Sequence, residues 1–500
     1  MNASRPWHVF ALCSLGWLLL SVYIAPVMSG GDVFIFRDAG WNLAAEGSFE
    51  SAALPYMHDL TPRLYSHYTP LMPLLFAGYA SVFPRDAYSG TIFNLLVGIL
   101  AAGVSLRWVL RPSSDIGQLR FIVALTVAVF PVAFVVFDRP EALGLVLATV
   151  TIASAAKVPP NLCLVGFLLA VTFLAHPFAA IFALLWSSTS CFLHNTDQPT
   201  RGLETLRQIA IIGVSALAIL LPVLLIYYVL DPTSLARFAI HAFGKKTGFG
   251  VVIASSSSQE FLQTLRRHIT GEGILPTSIR LPAFLSSLGL IVWALNCRKD
   301  LRYADWLLIS ISIGGTCASV IAFPNQAYYL GLLTFMTPLA LTIIAPSSGA
   351  LVVPALAMLL FAVAANLPFV CLGVMNRIEQ GPSFEAARQQ PSYLAAQLPS
   401  PDAVVGINGD SYDLFKPVLR HLVTLREKGV DYADLSAIVN CYDMYKGDSG
   451  VVRPLPEKVN PKEFRMIQPA PEHLWISILG RRIRQAEWGY GCDLYLRIKQ

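Results

Sequence analysis

The chain has 500 residues, of which 55% are apolar and only 13% charged, with a formal net charge of +5. A soluble protein of this length carries about twice that share of charge, and so small a basic excess excludes the polyanion-binding surface that nucleic acids require. Apolar runs of seventeen residues or more recur along the sequence, long enough as helices to cross a hydrocarbon layer of about 30 Å. The chain reads as a multi-pass protein of the lipid bilayer.

The first span is expected over residues 7–28, behind Arg5. Its basic flank and short core also suit a signal peptide, but the Ser29-Gly30-Gly31 that follows is a poor cleavage site, so a retained helix is expected. Residues 29–88 then form a first outer loop. Within it Val33, Phe36, Trp41 and Leu43 suit a short helix over 32–46 lying on the membrane surface. Residues 65–82 are apolar but interrupted by Pro70 and Pro73, with Pro84 behind. A helix dipping into the outer leaflet is expected there, not a full span.

Further spans are expected at 89–109, at 121–137, and from 141 to the helix-breaking Lys157-Val158-Pro159-Pro160. Residues 162–174 and 178–192 read as a hairpin around Ala175-His176-Pro177, and 209–230 as the span after it. The last four fall at 281–295, 306–323, 328–344 and 351–372, giving about eleven transmembrane helices. Arg107, Arg111, Arg120, Lys157, Arg201, Arg207, Arg298, Lys299 and Arg302 fall in short loops on one side, which the positive-inside rule makes the inner face. The first loop, a long loop over 231–280 and the tail then lie outside, across a plasma or inner membrane.

After Met375 the composition turns soluble. Residues 404–407 read as a buried strand, Asn408-Gly409-Asp410 as a turn and 414–425 as a helix. The expected fold class is an all-α polytopic membrane domain (1–374) with a small C-terminal α/β or α+β extracytoplasmic domain (375–500). None of the eight cysteines has metal-binding spacing. Cys441 and Cys492 lie in the tail, where an oxidising exterior allows a disulfide or leaves two free thiols.

Chemistry-bearing residues crowd at the outer ends of the spans. Asp32 and Asp38 are the first-loop acids and the candidate general bases. Asp32 stands where the first span ends, at lipid-headgroup depth, and as a bland alternative it caps the helix behind it. Asp38 lies inside that helix, where pairing with Arg37 or facing solvent is the simpler account. Asp138-Arg139-Pro140-Glu141 puts three ionisable groups between two apolar spans, an expensive place unless they are used or paired with one another. Arg139 has the forked shape that holds a phosphate; Asp138 and Glu141 suit an acceptor or a metal ion. Lys245, Lys246, Arg266 and Arg267 in the long loop either bind phosphate or form a solvated charged face. His67 and Tyr68 offer rings on which a sugar stacks, or serve as interface aromatics.

Three stretches together resemble the C-type glycosyltransferase superfamily (GT-C). They are Asp32 after the first span with Ala39, Leu43 and Gly47 behind it, the run Tyr68-Thr69-Pro70-Leu71-Met72-Pro73-Leu74-Leu75, and Arg139-Pro140-Glu141 opening a later span. Many relatives have Asp-Glu where this chain has Asp32-Val33, and paired prolines where it has Thr69-Pro70. The resemblance implies a membrane glycosyltransferase of cell-envelope glycans, transferring a hexose or pentose from a polyprenyl-phosphate-linked donor to a glycan, lipid or protein acceptor. It implies Asp32 as base, basic outer-loop residues on the phosphate, and a tail that helps to bind the acceptor. No cofactor is assigned, and the first departure leaves a divalent metal ion open. The competing classes are a transporter of lipid-linked saccharides and a non-catalytic assembly subunit. A transporter is disfavoured by the absence of a visible repeat and of mid-membrane charge.

Overall fold

The computed structural model describes residues 5–24, 33–50, 64–65, 68–83, 85, 89–109, 141–195, 201–239, 303–322, 337, 340–341, 343–344, 374, 378, 381–408, 412–425, 432–441, 455, 459–470, 476–478, 481–483 and 492–498. The spans expected at 121–137, 281–295 and 351–372, and nearly all of 328–344, lie outside the described residues. The chain divides into two units. One comprises Met1–Trp17, Leu96–Phe134 and Pro140–Pro368; the other comprises Leu18–Leu95, Val135–Arg139 and Phe369–Gln500. Helices α1 (Arg5–Ile24) and α4 (Ser89–Val109) run through the divisions.

The first unit is helical where described: α5 (Glu141–Ala155), α6 (Leu162–Ala175), α7 (Pro177–His194), α8 (Arg201–Leu230), α9 (Pro232–Ala239) and α10 (Tyr303–Ala322). The α6–α7 hairpin turns where the sequence places it. His176 is the N-cap of α7, its Nδ1 accepting the Ala179 N–H at 3.1 Å, with Pro177 behind it where a missing N–H costs nothing. Small residues let these helices close up. A side chain at Gly166 would meet the Ile212 carbonyl oxygen and Ser215 Cβ, both at 2.5 Å, so α6 crosses α8 backbone to backbone. Between α5 and α6 the Thr151 and Thr172 hydroxyls lie 3.2 Å apart.

Helices α7 and α8 are long and apolar enough to cross a bilayer. Helix α8 begins at Arg201, eight residues before the expected span, and exposes Leu206, Val214, Leu217, Leu221, Leu225 and Ile226 around its circumference. Uncovered apolar surface of this kind suits a helix that meets hydrocarbon.

The second unit contains α2 (Val33–Glu46), α3 (Leu71–Val82), the first turns of α4 and the tail. Among the described residues the tail has α11 (Gly381–Gln397) and seven strands: β1 (Val404–Asn408), β2 (His421–Thr424), β3 (Ala437–Cys441), β4 (Phe464–Gln468), β5 (Ile476–Ile478), β6 (Arg481–Ile483) and β7 (Cys492–Arg497). Five of them form one sheet in the order β2-β1-β3-β7-β4. The β2, β1 and β3 strands are parallel, and β7 runs antiparallel to both neighbours. All five residues of β3 are buried, as a central strand covered on both faces requires. Cys441 and Cys492 stand opposite each other in the β3–β7 register and form a disulfide. Gln390 of α11 clasps the Cys492 backbone in both directions, donating to its carbonyl at 2.6 Å and accepting its N–H at 2.9 Å.

The helix expected over 414–425 is a correction. A single short helix, α12 (Tyr412–Phe415), precedes a turn at Pro417, and residues 421–424 pair in parallel with β1. Leu414, Phe415, Leu419 and Leu422 are all buried, so the apolar spacing marks core residues, but Pro417 denies a helix its hydrogen bond and pairing with β1 supplies one.

Candidate functional site: the buried core around α2 and α3

Helix α2 is not a surface helix. Residues 37–42 are buried without a break, more than one full turn, so neighbours enclose this part of the helix on all sides. On one side lies α3, twelve residues long and too short to span, which buries Met72, Pro73, Phe76, Ala77 and Ala80 and exposes Leu74 and Leu75. Gly40 permits this contact, since a side chain there would lie 2.7 Å from the Pro73 carbonyl oxygen and 3.0 Å from the Phe76 ring. Phe76 receives Trp41 edge-on at 4.9 Å and packs against Phe93 of α4 at 5.3 Å, tying three helices through one ring. The Arg37 guanidinium, 2% exposed, stands 5.9 Å from the same ring and against Gly90 of α4, where a Cβ would overlap it.

On another side lies the tail. Asp38 is fully buried, and its Oδ1 accepts the Tyr412 hydroxyl at 2.6 Å and lies 3.4 Å from the Lys416 ammonium. Tyr412 and Lys416 are one turn apart, joined by the Lys416 N–H to Tyr412 carbonyl bond at 2.9 Å, and so face the same way. Near the other end of α2, Glu46 lies 3.8 Å from Arg420. Arg85 donates to the Ala80 and Ala44 carbonyls and so caps the last turns of α3 and α2 together. A cleft of about 190 Å³ lies here, lined in part by Trp41, Glu46, Arg85, Lys416 and Arg420.

In the other unit, Asp231 opens α9. Its carboxylate accepts the Thr233 hydroxyl at 2.6 Å and the Thr233 and Ser234 N–H groups at 3.1 Å, so the expected long loop at 231–280 starts as a capped helix. Burial alone would raise this carboxyl, but the Ser234 and Thr233 hydroxyls, with the two N–H groups, hold it down at about 2.

Of the residues singled out in the sequence, Asp38 and Tyr68 fall among those whose surroundings are described. Asp38 neither faces solvent nor stands free: two donors from the tail occupy one of its oxygens. Tyr68 is 5% exposed, so its ring is part of the loop's core and not an open stacking platform. Glu141 is the first residue of α5. Asp32, His67, Asp138, Arg139, Lys245, Lys246, Arg266 and Arg267 lie outside the described residues. Tyr412, Lys416 and Gly90 were missed. The i, i+4 spacing of Tyr412 and Lys416 signals a shared face, but nothing local points to a partner 374 residues away. Among the described residues no three metal-ligating side chains converge.

No family model matches the chain, and no curated protein sequence matches it. Solved structures do. ArnT from Cupriavidus metallidurans bound to undecaprenyl phosphate is similar over 85% of this chain and 86% of its own, at 14% identity and a TM-score of 0.50. AglB from Archaeoglobus fulgidus, an archaeal oligosaccharyltransferase in complex with an inhibitory peptide and a dolichol-phosphate, is similar over 87% of this chain and 69% of its own, at 11% identity and a TM-score of 0.45. The Archaeoglobus fulgidus oligosaccharyltransferase in complex with zinc and sulfate covers 87% of this chain and 68% of its own, at 12% identity and a TM-score of 0.42. The ArnT likeness carries the fold: over 85% of its length this chain is folded like that structure.

Proposed function

We propose that the chain is an integral-membrane glycosyltransferase that moves a sugar from a polyprenyl-phosphate carrier to a hydroxyl-bearing acceptor at the outer face of the membrane, with Asp32 as general base. The observation that carries this reading is the fold shared over 85% of the chain with an ArnT bound to undecaprenyl phosphate. The acid directly after the first span supports it, because acceptor activation needs a base at headgroup depth. The tail disulfide supports an extracytoplasmic tail, since such bonds persist in oxidising compartments.

In the proposed step the Asp32 carboxylate takes the acceptor hydroxyl's proton as that oxygen attacks the anomeric carbon. The bond from that carbon to the phosphate oxygen breaks, its electron pair leaves with the phosphate, and the anomeric configuration inverts. Arg139, with Lys245, Lys246, Arg266 and Arg267, neutralises the departing charge. Asp138 and Glu141 orient the acceptor, and His67 stacks on the sugar.

The test is donor consumption by purified protein in liposomes supplied with undecaprenyl-phosphate-linked sugars. Asp32→Asn is expected to keep donor binding and lose about 10²–10⁴-fold in turnover, the usual worth of a general base. A variant that turns over at the wild-type rate refutes the assignment of Asp32. A wild-type protein that carries the donor across the bilayer without transfer is a transporter.

A further inference from the structure

We propose that the tail carries a binding site of its own: a cavity at the end of its sheet where β1 and β3 begin, which takes an acidic sugar, with Lys462 meeting the sugar's carboxylate. None of the residues assigned to the transfer step is among its described lining residues, so the proposal goes beyond that reading and does not depend on it.

The cavity measures about 720 Å³, within the range of about 300–1,000 Å³ usual for small-molecule sites. It lies where β1 and β3 begin, whereas α12 and its contact with Asp38 follow the other end of β1. Three backbone bonds pin its floor by carrying the sheet's pairing past the strand ends. The Ser436 N–H donates to the Val404 carbonyl at 2.8 Å, the Arg497 N–H to the Ser436 carbonyl at 2.9 Å, and the Ile498 N–H to the Glu463 carbonyl at 2.8 Å. The last bond also fixes the short turn Pro461–Glu463, which Asn460 caps. The Asn460 side chain accepts the Lys462 N–H at 3.2 Å and donates to the Glu463 carboxylate at 3.1 Å. A site framed in this way is built before its ligand arrives, so binding has little left to order.

Among the described lining residues three are charged, and two of them cancel. The Arg497 guanidinium donates to the Glu463 carboxylate at 2.7 Å and to the Ala433 and Leu435 carbonyls, and it rests over the Phe464 ring at 5.4 Å. The bonds from Arg497 and then Asn460 hold the Glu463 carboxyl below the usual carboxylate range. Lys462 pairs with no carboxylate among the described residues, which leaves the lining one positive charge in excess. Ser436 and Gln397 add a hydroxyl and an amide, each able both to donate and to accept, as neighbouring sugar hydroxyls require. Leu496, Ile498 and Pro399 supply an aliphatic wall for the C–H face of a sugar ring. Lysine is a compact point charge and not a fork, which suits a singly charged carboxylate better than a phosphate dianion beside Glu463.

The test uses full-length protein in lipid nanodiscs and saturation-transfer NMR of the added sugar. The probes are cellobiouronic acid, a disaccharide of one glucuronate and one glucose, and its neutral counterpart cellobiose. The wild type is expected to bind the acidic disaccharide about 5–10-fold more tightly. Lys462→Met, on an exposed turn, is expected to fold and to bind the two alike. Arg465→Gln, which removes an exposed cation outside the described lining, should keep the preference. Ser436→Phe, which puts a ring into the cavity, should lose both sugars. Equal wild-type affinity for the two sugars, no binding of either, or a preference that survives Lys462→Met overturns the proposal. So does displacement of the acidic disaccharide by an equal concentration of inorganic phosphate, which would mark a plain anion site. No donor lipid and no transfer enter the measurement, so its failure leaves the reading of Asp32 untouched.

Discussion

Replacing Gly40 by alanine, with Gly78 as its counterpart on the facing helix, makes one chemical change with two opposite expected results. A Cβ at Gly40 would lie 2.7 Å from the Pro73 carbonyl oxygen and 3.0 Å from the Phe76 ring, whereas one at Gly78 meets nothing within 4 Å. The carbonyl is backbone and cannot rotate away, so α2 and α3 must part by several tenths of an ångström. Overpacking of this kind costs about 1–3 kcal/mol. The better helix preference of alanine returns up to about 1 kcal/mol. Gly40→Ala is therefore expected to lose about 1–2 kcal/mol, and Gly78→Ala to gain up to about 1 kcal/mol. At about 2–4 °C per kcal/mol for a folding unit of this size, the two variants should separate by roughly 2–12 °C. Thermal unfolding in detergent, followed by loss of the monodisperse peak in size exclusion, measures the gap. If Gly40→Ala melts at or above Gly78→Ala, the close packing of α2 on α3 is wrong.

Gly166→Val should be more damaging still, because two atoms of α8 stand 2.5 Å from the new Cβ, one of them backbone; the yield of monodisperse protein reports it. The Asp231 carboxyl, held at about 2 against an ordinary 3.8, contributes stability that is fully present above the ordinary value and lost as pH falls through the folded one. Hydrogen exchange over 232–239 should accelerate on acidification through that window in the wild type. Asp231→Asn, which still caps but does not titrate there, should lack the transition. The Cys441–Cys492 bridge closes a separation of 51 residues, worth about 4 kcal/mol in the chain-entropy account. Reduction, or Cys441→Ser with Cys492→Ser, should sharply increase protease cleavage of the tail, and equal resistance with and without the bridge would contradict the β3–β7 pairing.

Much of the fold was legible because the deciding signals are local. Prolines 70 and 73, interrupting the apolar stretch over 65–82, announced that it would not be a full span, and α3 is twelve residues long. Ala175-His176-Pro177 announced a helix break, and α6 ends and α7 begins there, with His176 as an N-cap that was not foreseen. Residues 404–407 announced a buried strand, and β1 is the second strand of the sheet. The helix expected at 414–425 failed because burial and helical spacing look alike over a short window, and parallel pairing with β1 decided the backbone. Helix α2 was misjudged for a related reason. The apolar residues Val33, Phe36, Trp41 and Leu43 suggested a helix with one face on the membrane surface, yet Arg37, Asp38 and Asn42 are buried as well.

The amino-acid sequence by itself pointed to apolar helices of membrane-spanning length followed by a tail of a different composition, and its motifs resembled those of the C-type glycosyltransferases. Hydropathy, proline and charge placement act through solvent transfer and backbone sterics, which each segment feels regardless of its neighbours. Only the tertiary structure decided that Asp38 meets Tyr412 and Lys416, that Gly40 sits against the Pro73 carbonyl, and that two cysteines 51 residues apart face each other across strands. Those contacts join segments distant in the chain. Their stabilisation exists only once the backbone has brought desolvated partners together, so no local pattern records them in advance.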